Sequence, residues 1–245
     1  MPFAVGGLAA VMAIYWAIAA GVSVVLRRSF GLPLFLVFPA ILTVCEWLRG
    51  HLLTGFPWAV PGLGAERMGG VAQSVSVVGM TGMTLIVLLW AAAPAAYLRY
   101  RNRMGAVTAV AIVATLPVIW LLGLQRVAVH PTQNVNGVTL RIVQPNIGQD
   151  DKWRADNASR IFDDLLAFSR APARDGKIPT HIIWPESAVP FLLDESDGGR
   201  TALAQTLGAG QMLITGAIRR ARPDPSADYF TSILVFDDSA HLVST

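Results

Sequence analysis

Four long apolar stretches fill the first half of the chain, and short alternating or helical-period patterns fill the second. Residues 3–26 hold no charge. At about 1.5 Å per residue such a run crosses a hydrocarbon core of about 30 Å, so it reads as a spanning helix. A signal peptide would need a basic segment ahead of the run, whereas Arg27 and Arg28 lie behind it. Further spans are expected at 30–48, 74–98 and 105–125. Pro33 and Pro39 would kink the second, and Gly79 and Gly82 in the third offer close helix contact. Between the second and third lies a surface arm, residues 46–64, rich in aromatic residues, Pro and Gly. Trp47 and Trp58 are the types that settle at headgroup level. The Gly and Pro residues could equally shape a non-helical arm past which lipid would move. Glu46 and Arg49, three apart, are placed to pair at a helix end.

Beyond the polar stretch His130-Pro131-Thr132-Gln133-Asn134 the period changes. Residues 138–143 alternate like a strand, 155–170 place Ile161, Leu165 and Phe168 at helical spacing, and His181-Ile182-Ile183-Trp184 reads as a short buried strand closed by Pro185. A helix near 198–208 and strands at 212–218 and 229–236 complete an order β-α-β-α-β-β, which implies a layered α/β domain over 131–245.

Composition supports this division. The chain of 245 residues is 53% hydrophobic and 14% charged, with mean hydropathy +0.51. A soluble domain carries about 25% charged residues, so a purely soluble protein is excluded. Residues 1–130 hold 8 Lys+Arg against 2 acids, and residues 131–245 hold 11 against 14. The pI near 9.4 is thus an average of two unlike halves and gives no argument for nucleic acid. Basic residues collect behind the first and third spans, at Arg27, Arg28, Arg99, Arg101 and Arg103. The positive-inside rule assigns those loops to the cytoplasm and the 131–245 domain to the opposite side. An outward amino terminus on the first apolar span suggests that earlier helices precede it. Cys45 is the single cysteine, which excludes a disulfide framework, and the four histidines lack metal-ligand spacing. No metal and no cofactor is expected.

Glu186 carries the most chemistry. It follows an apolar strand and Pro185, at a strand's carboxyl end, where α/β sheets place ligand crevices. Partly buried beside Trp184, its carboxylate would be tuned toward proton transfer as a general base. A capping or loop-pairing glutamate fits the same position, and spacing alone does not decide.

The strings I-V-Q-P-N-I-G-Q-D-D-K-W at 142–153, I-I-W-P-E-S-A-V-P at 182–190, L-I-T-G-A at 213–217 and Y-F-T-S-I-L-V-F at 229–236 together resemble the carbon–nitrogen hydrolase (nitrilase-like) domain of the apolipoprotein N-acyltransferase family. E-W-L-R-G-H-L-L-T-G-F-P-W at 46–58 resembles the same family's membrane arm. The resemblance covers nearly the whole chain. It implies a transmembrane α-helical bundle followed by a partial α/β nitrilase-like domain, an αββα sandwich on the periplasmic side of the bacterial inner membrane.

It also implies a Glu-Lys-Cys triad that moves an acyl chain from a phospholipid, through a thioester, to the α-amino group of a diacylglyceryl apolipoprotein. Glu186 matches the general base. Trp153 matches a tryptophan near the active-site mouth, where a plain packing aromatic is the competing reading. The family's lysine and cysteine match no position here; Lys152 and Lys177 fall outside the lysine motif, and Cys45 lies in the membrane half. The resemblance therefore implies a chain truncated at both ends and inactive alone. A membrane-attached amidase or nitrilase-type hydrolase, and a non-catalytic lipid- or partner-binding module, remain the alternatives.

Overall fold

A computed structural model describes residues 2–53, 55–173, 176–221 and 228–245. The chain divides into two compact units, Met1–Thr132 and Gln133–Thr245, two residues beyond the boundary expected from sequence.

The first unit contains four helices long and apolar enough to cross a membrane. They are α1 (Pro2–Phe30), α2 (Leu34–His51), α3 (Val75–Tyr100) and α4 (Arg103–Val129). Each apolar run was located by its pattern, but the helices extend beyond most of the expected ends, because polar residues continue helical hydrogen bonding after the apolar stretch stops. The second helix instead begins late, since Pro33 takes an extended conformation as its N-cap. Pro39 sits inside α2, and its carbonyl accepts from Thr43 Oγ1 at 2.8 Å. Between α2 and α3 the backbone forms two short 3-10 turns, Pro61–Ala65 and Gly69–Ser74.

The glycines that bring backbones together are not the two expected. Gly79 has φ +67 and interrupts α3, with open space where a side chain would stand, and a Cβ on Gly82 would meet only Val78 of its own helix. The close approach is made elsewhere: a Cβ on Gly123 of α4 would lie 1.8 Å from the Gly70 carbonyl oxygen, and one on Gly70 2.2 Å from the Trp120 carbonyl oxygen. Gly62 lies against Met80 and Thr84 of α3 in the same way, and its N–H donates to Thr84 Oγ1 at 3.2 Å. Small residues at backbone crossings are how helices associate in lipid, where apolar side chains gain little by leaving it.

The second unit holds one five-stranded sheet in the order β1 (Leu140–Ile142), β2 (His181–Trp184), β3 (Met212–Arg220), β4 (Tyr229–Phe236) and β5 (Leu242–Ser244). The first three strands run parallel, and β4 and β5 add as antiparallel neighbours. A four-residue helix α5 (Gln149–Lys152), then α6 (Ala158–Arg170) after a 3-10 turn, connect β1 to β2; α7 (Asp197–Ala204) precedes β3. The expected helix at 155–170 thus starts at Ala158, and the polar tract ahead of β4 lies at 222–227 outside the described residues.

Alternation along the strands sends Ile182, Trp184, Leu213, Ala217, Leu234 and Phe236 to one face, where they pack with Ile161, Phe162, Leu165 and Leu166 of α6 and Leu203 of α7. Apolar burial at about 25 cal/mol per Å² holds this layer together. The opposite face carries Leu140, Ile142, Ile183, Ile214 and Ile233 in register, and Ile142 is 74% exposed.

Candidate functional site

Parallel pairing of β1, β2 and β3 brings their carboxyl ends to one rim, the usual ligand edge of an α/β sheet. Glu186 sits there, one residue past the Pro185 that ends β2. Its backbone is fixed from two directions. A Cβ on Gly216 of β3 would come within 2.6 Å of Glu186 Cα and 3.0 Å of the Pro185 carbonyl oxygen, so only glycine admits the turn so close to the sheet. The Ala188 N–H then donates to the Gly216 carbonyl at 3.0 Å. Between them Ser187 adopts φ +47, a left-handed conformation that turns the chain sharply away from the strand.

The side chain departs from expectation. Glu186 is exposed, and Trp184 is 3% exposed on the α6 face, where its indole N–H donates to Ser169 Oγ at 2.9 Å. Trp184 and Glu186 occupy different surroundings because the strand ends at Trp184 and the chain leaves the sheet at Pro185. The expected burial of the carboxylate beside Trp184 is therefore not found. Among the described residues, Glu186 Oε atoms have no hydrogen-bond or ion-pair partner, so the acid is presented to solvent with its acceptor capacity unspent.

Lys152 joins the two residues singled out from sequence. Its ammonium donates to the Glu186 carbonyl oxygen at 3.1 Å and lies 5.6 Å from the Trp153 ring centroid. The Q-D-D-K-W segment is thereby drawn to the Glu186 turn, and Trp153, 50% exposed, stands beside it. Half exposure at a rim is unlike a packing aromatic buried in the core. Sequence reading singled out Glu186 and Trp153 but not Lys152 and Gly216, which the structure places against the Glu186 turn. Gly216 was readable in principle, as an isolated glycine inside an apolar strand marks close backbone approach.

In the first unit, the expected Glu46–Arg49 pair forms, buried at 5% and 6% exposure. It lies within the last turns of α2, so the arm proper begins only after His51. Thr54 of the T-G-F-P-W string lies outside the described residues. Arg49 Nη1 donates to the Phe56 carbonyl at 2.7 Å and Nη2 to the Trp58 carbonyl at 2.9 Å, while the guanidinium stands 6.0 Å from the Phe56 ring centroid. Glu46 accepts from the Trp16 indole at 3.1 Å. Five donors in a planar fork suit arginine to hold two carbonyls and a carboxylate at once. The arm is thus pinned to the helix bundle through its backbone, leaving the Trp58 ring exposed.

Comparison with known proteins bears on both units. Residues 1–93 match the family model described as apolipoprotein N-acyltransferase N-terminal domain. Over 99% of its length the chain is 36% identical to the apolipoprotein N-acyltransferase of Bradyrhizobium diazoefficiens, covering 47% of that protein. It is 34% identical to that of Rhodopseudomonas palustris over 99% of the chain and 48% of the relative, and 33% identical to that of Caulobacter vibrioides over 95% and 44%. Nearly the whole chain is thus similar to apolipoprotein N-acyltransferases. It spans about half the length of the curated relatives it matches. The apolipoprotein N-acyltransferase alignments run through both units, so the Glu186 rim and the arm lie within the region shared with those relatives.

Proposed function

We propose that this chain supplies the membrane arm and the general base of a lipoprotein N-acyltransferase. The carrying observation is the Glu186 turn: an unpartnered carboxylate at the rim of a parallel sheet, its backbone locked by Gly216, in a chain whose relatives bear that enzyme's name. The sheet, apolar on both faces and covered by helices on one, supports a nitrilase-like αββα arrangement, in which a second sheet covers Ile142 and Ile233.

In this reading the Glu186 carboxylate takes the proton from a cysteine thiol supplied by the parent protein. The thiolate attacks the ester carbon of a phospholipid, the C–O bond breaks, and a lysophospholipid leaves with a proton returned by Glu186. The α-amine of the diacylglyceryl-cysteine then attacks the thioester and gives a proton to Glu186, the C–S bond breaks, and Glu186 passes that proton to the leaving thiolate, restoring the thiol and the carboxylate. A general base of this kind contributes about 10²–10⁴-fold. Residues 1–245 by themselves are inactive, because their single cysteine, Cys45, is buried in α2. The second unit faces the periplasm, with the Arg27 and Arg101 loops in the cytoplasm.

Lipoprotein N-acylation by the complete parent enzyme tests the base. Glu186→Gln should lower turnover by about 10²-fold or more without loss of folded protein, and unchanged turnover would refute the assignment. A parent that released free acid from small amides while leaving lipoproteins unmodified would establish the hydrolase instead. Alkaline phosphatase fused after residue 133 should be active in cells and fused after residue 101 inactive; the reverse pattern would refute the orientation.

A further inference from the structure

Helices α1, α2 and α3 enclose an apolar trough of about 460 Å³ whose walls include Ala20, Val24, Phe38, Leu88, Ala91 and Ala92. The alanines of α3 keep it open. The one hydroxyl in its wall, Ser23, is already committed to the Ala19 carbonyl at 2.7 Å, so the trough offers an apolar ligand no unsatisfied polar group. Leu34, Phe35 and Ala95 line both this trough and an adjoining recess of about 180 Å³ bounded by Arg27, Arg99 and Tyr100. Arg27 ends α1 and Arg99 ends α3, both exposed, and among the described residues neither has a carboxylate partner. The two acids of this unit do not neutralise them: Glu46 is held by Arg49 at the far end of α2, and Glu66 lies beyond it in the segment between α2 and α3.

We infer that the trough and the adjoining recess together hold one anionic phospholipid, with an acyl chain along the trough and the headgroup phosphate at Arg27 and Arg99. A free phosphate would use the arginines and have no use for the trough; a neutral hydrocarbon would use the trough and leave two cations facing each other unneutralised. Only an amphiphile with a negative head satisfies both ends. Basic recesses between membrane helices at the anionic leaflet bind such headgroups on this principle, with guanidinium groups gripping phosphate oxygens through paired N–H donors. This site stands whether or not the acyl-transfer reading does, because it requires only that the helices lie in a bilayer.

The test is native mass spectrometry of the detergent-solubilised 245-residue chain, offered phosphatidylglycerol and phosphatidylethanolamine in equal amount. Preferential retention of phosphatidylglycerol is expected, and Arg27→Gln with Arg99→Gln should cut that preference about 25-fold, from the roughly fivefold contributed by each basic group near an anionic surface. The charge-matched pair Arg28→Gln with Arg101→Gln, outside the recess, should leave it in place. Equal retention of the two lipids, or an equal loss in the control pair, would overturn the site. Filling the trough with Ala92→Phe should lower retention of both lipids while helical content stays constant, and Ala91→Leu provides the same test should the first variant misfold. Undiminished retention in a folded trough-filling variant would overturn the acyl-chain half of the inference.

Discussion

The two units bury opposite things. In the sheet unit the large apolar side chains of β2, β3, β4 and α6 go inside, and charged residues such as Asp163 stay outside. In the helical unit most large apolar side chains, among them Val107, Val110 and Leu121 of α4, point outward, while an ion pair and glycine backbones occupy the interior. Water makes apolar burial favourable for the first; lipid removes that driving force and leaves close packing and polar pairing to hold the second. The same residue type therefore has a different worth on either side of Thr132.

The largest effect should come from Gly123→Leu. Its Cβ would enter the Gly70 carbonyl, a conflict between two backbones that no side-chain rotation relieves, so a loss above about 4 kcal/mol is expected in the helical unit, read as thermal unfolding in detergent. Next, Arg49→Ala should cost about 3–5 kcal/mol, since it strands a buried carboxylate, and should expose residues 55–60 to protease. The pair Glu46→Gln with Arg49→Leu should cost less than Arg49→Ala alone; a cost as large would show that the lost bonds to the Phe56 and Trp58 carbonyls, and not the stranded charge, set the loss. Leu165→Ala in α6 should cost about 2–5 kcal/mol, measured by denaturant unfolding. Ile142→Ser, on the uncovered sheet face, should fall within about 0.5 kcal/mol in this chain. A large loss there would mean that Ile142 is packed, and would remove the contrast between the two sheet faces.

Periodicity made most of the architecture legible. The strands at His181–Trp184 and Tyr229–Phe236 lie where the alternation placed them, and all four spans coincide with apolar runs. Properties that depend on partners remote in sequence were not readable. Gly79 and Gly82 looked like contact glycines because both lie in a helix, yet contact requires knowing that Gly70 faces Gly123. β5 was missed because three residues are too few for a pattern and it forms only by pairing with β4. At the rim, Pro185 announced the end of the strand and so located Glu186, but the left-handed turn at Ser187, directly after the acid, has no glycine to mark it. Lys152 was set aside on motif grounds, whereas its contribution is a single bond to a main-chain oxygen, for which sequence holds no signature.

The bare face of the sheet has a consequence for how the polypeptide associates. A flat, greasy surface bearing Leu140, Ile142 and Ile233 is a template on which another copy can stack as soon as the strands have paired. In this chain that face invites a second copy or a covering layer, and fluorescent dyes that light up on oily surfaces would report how much of it stays open.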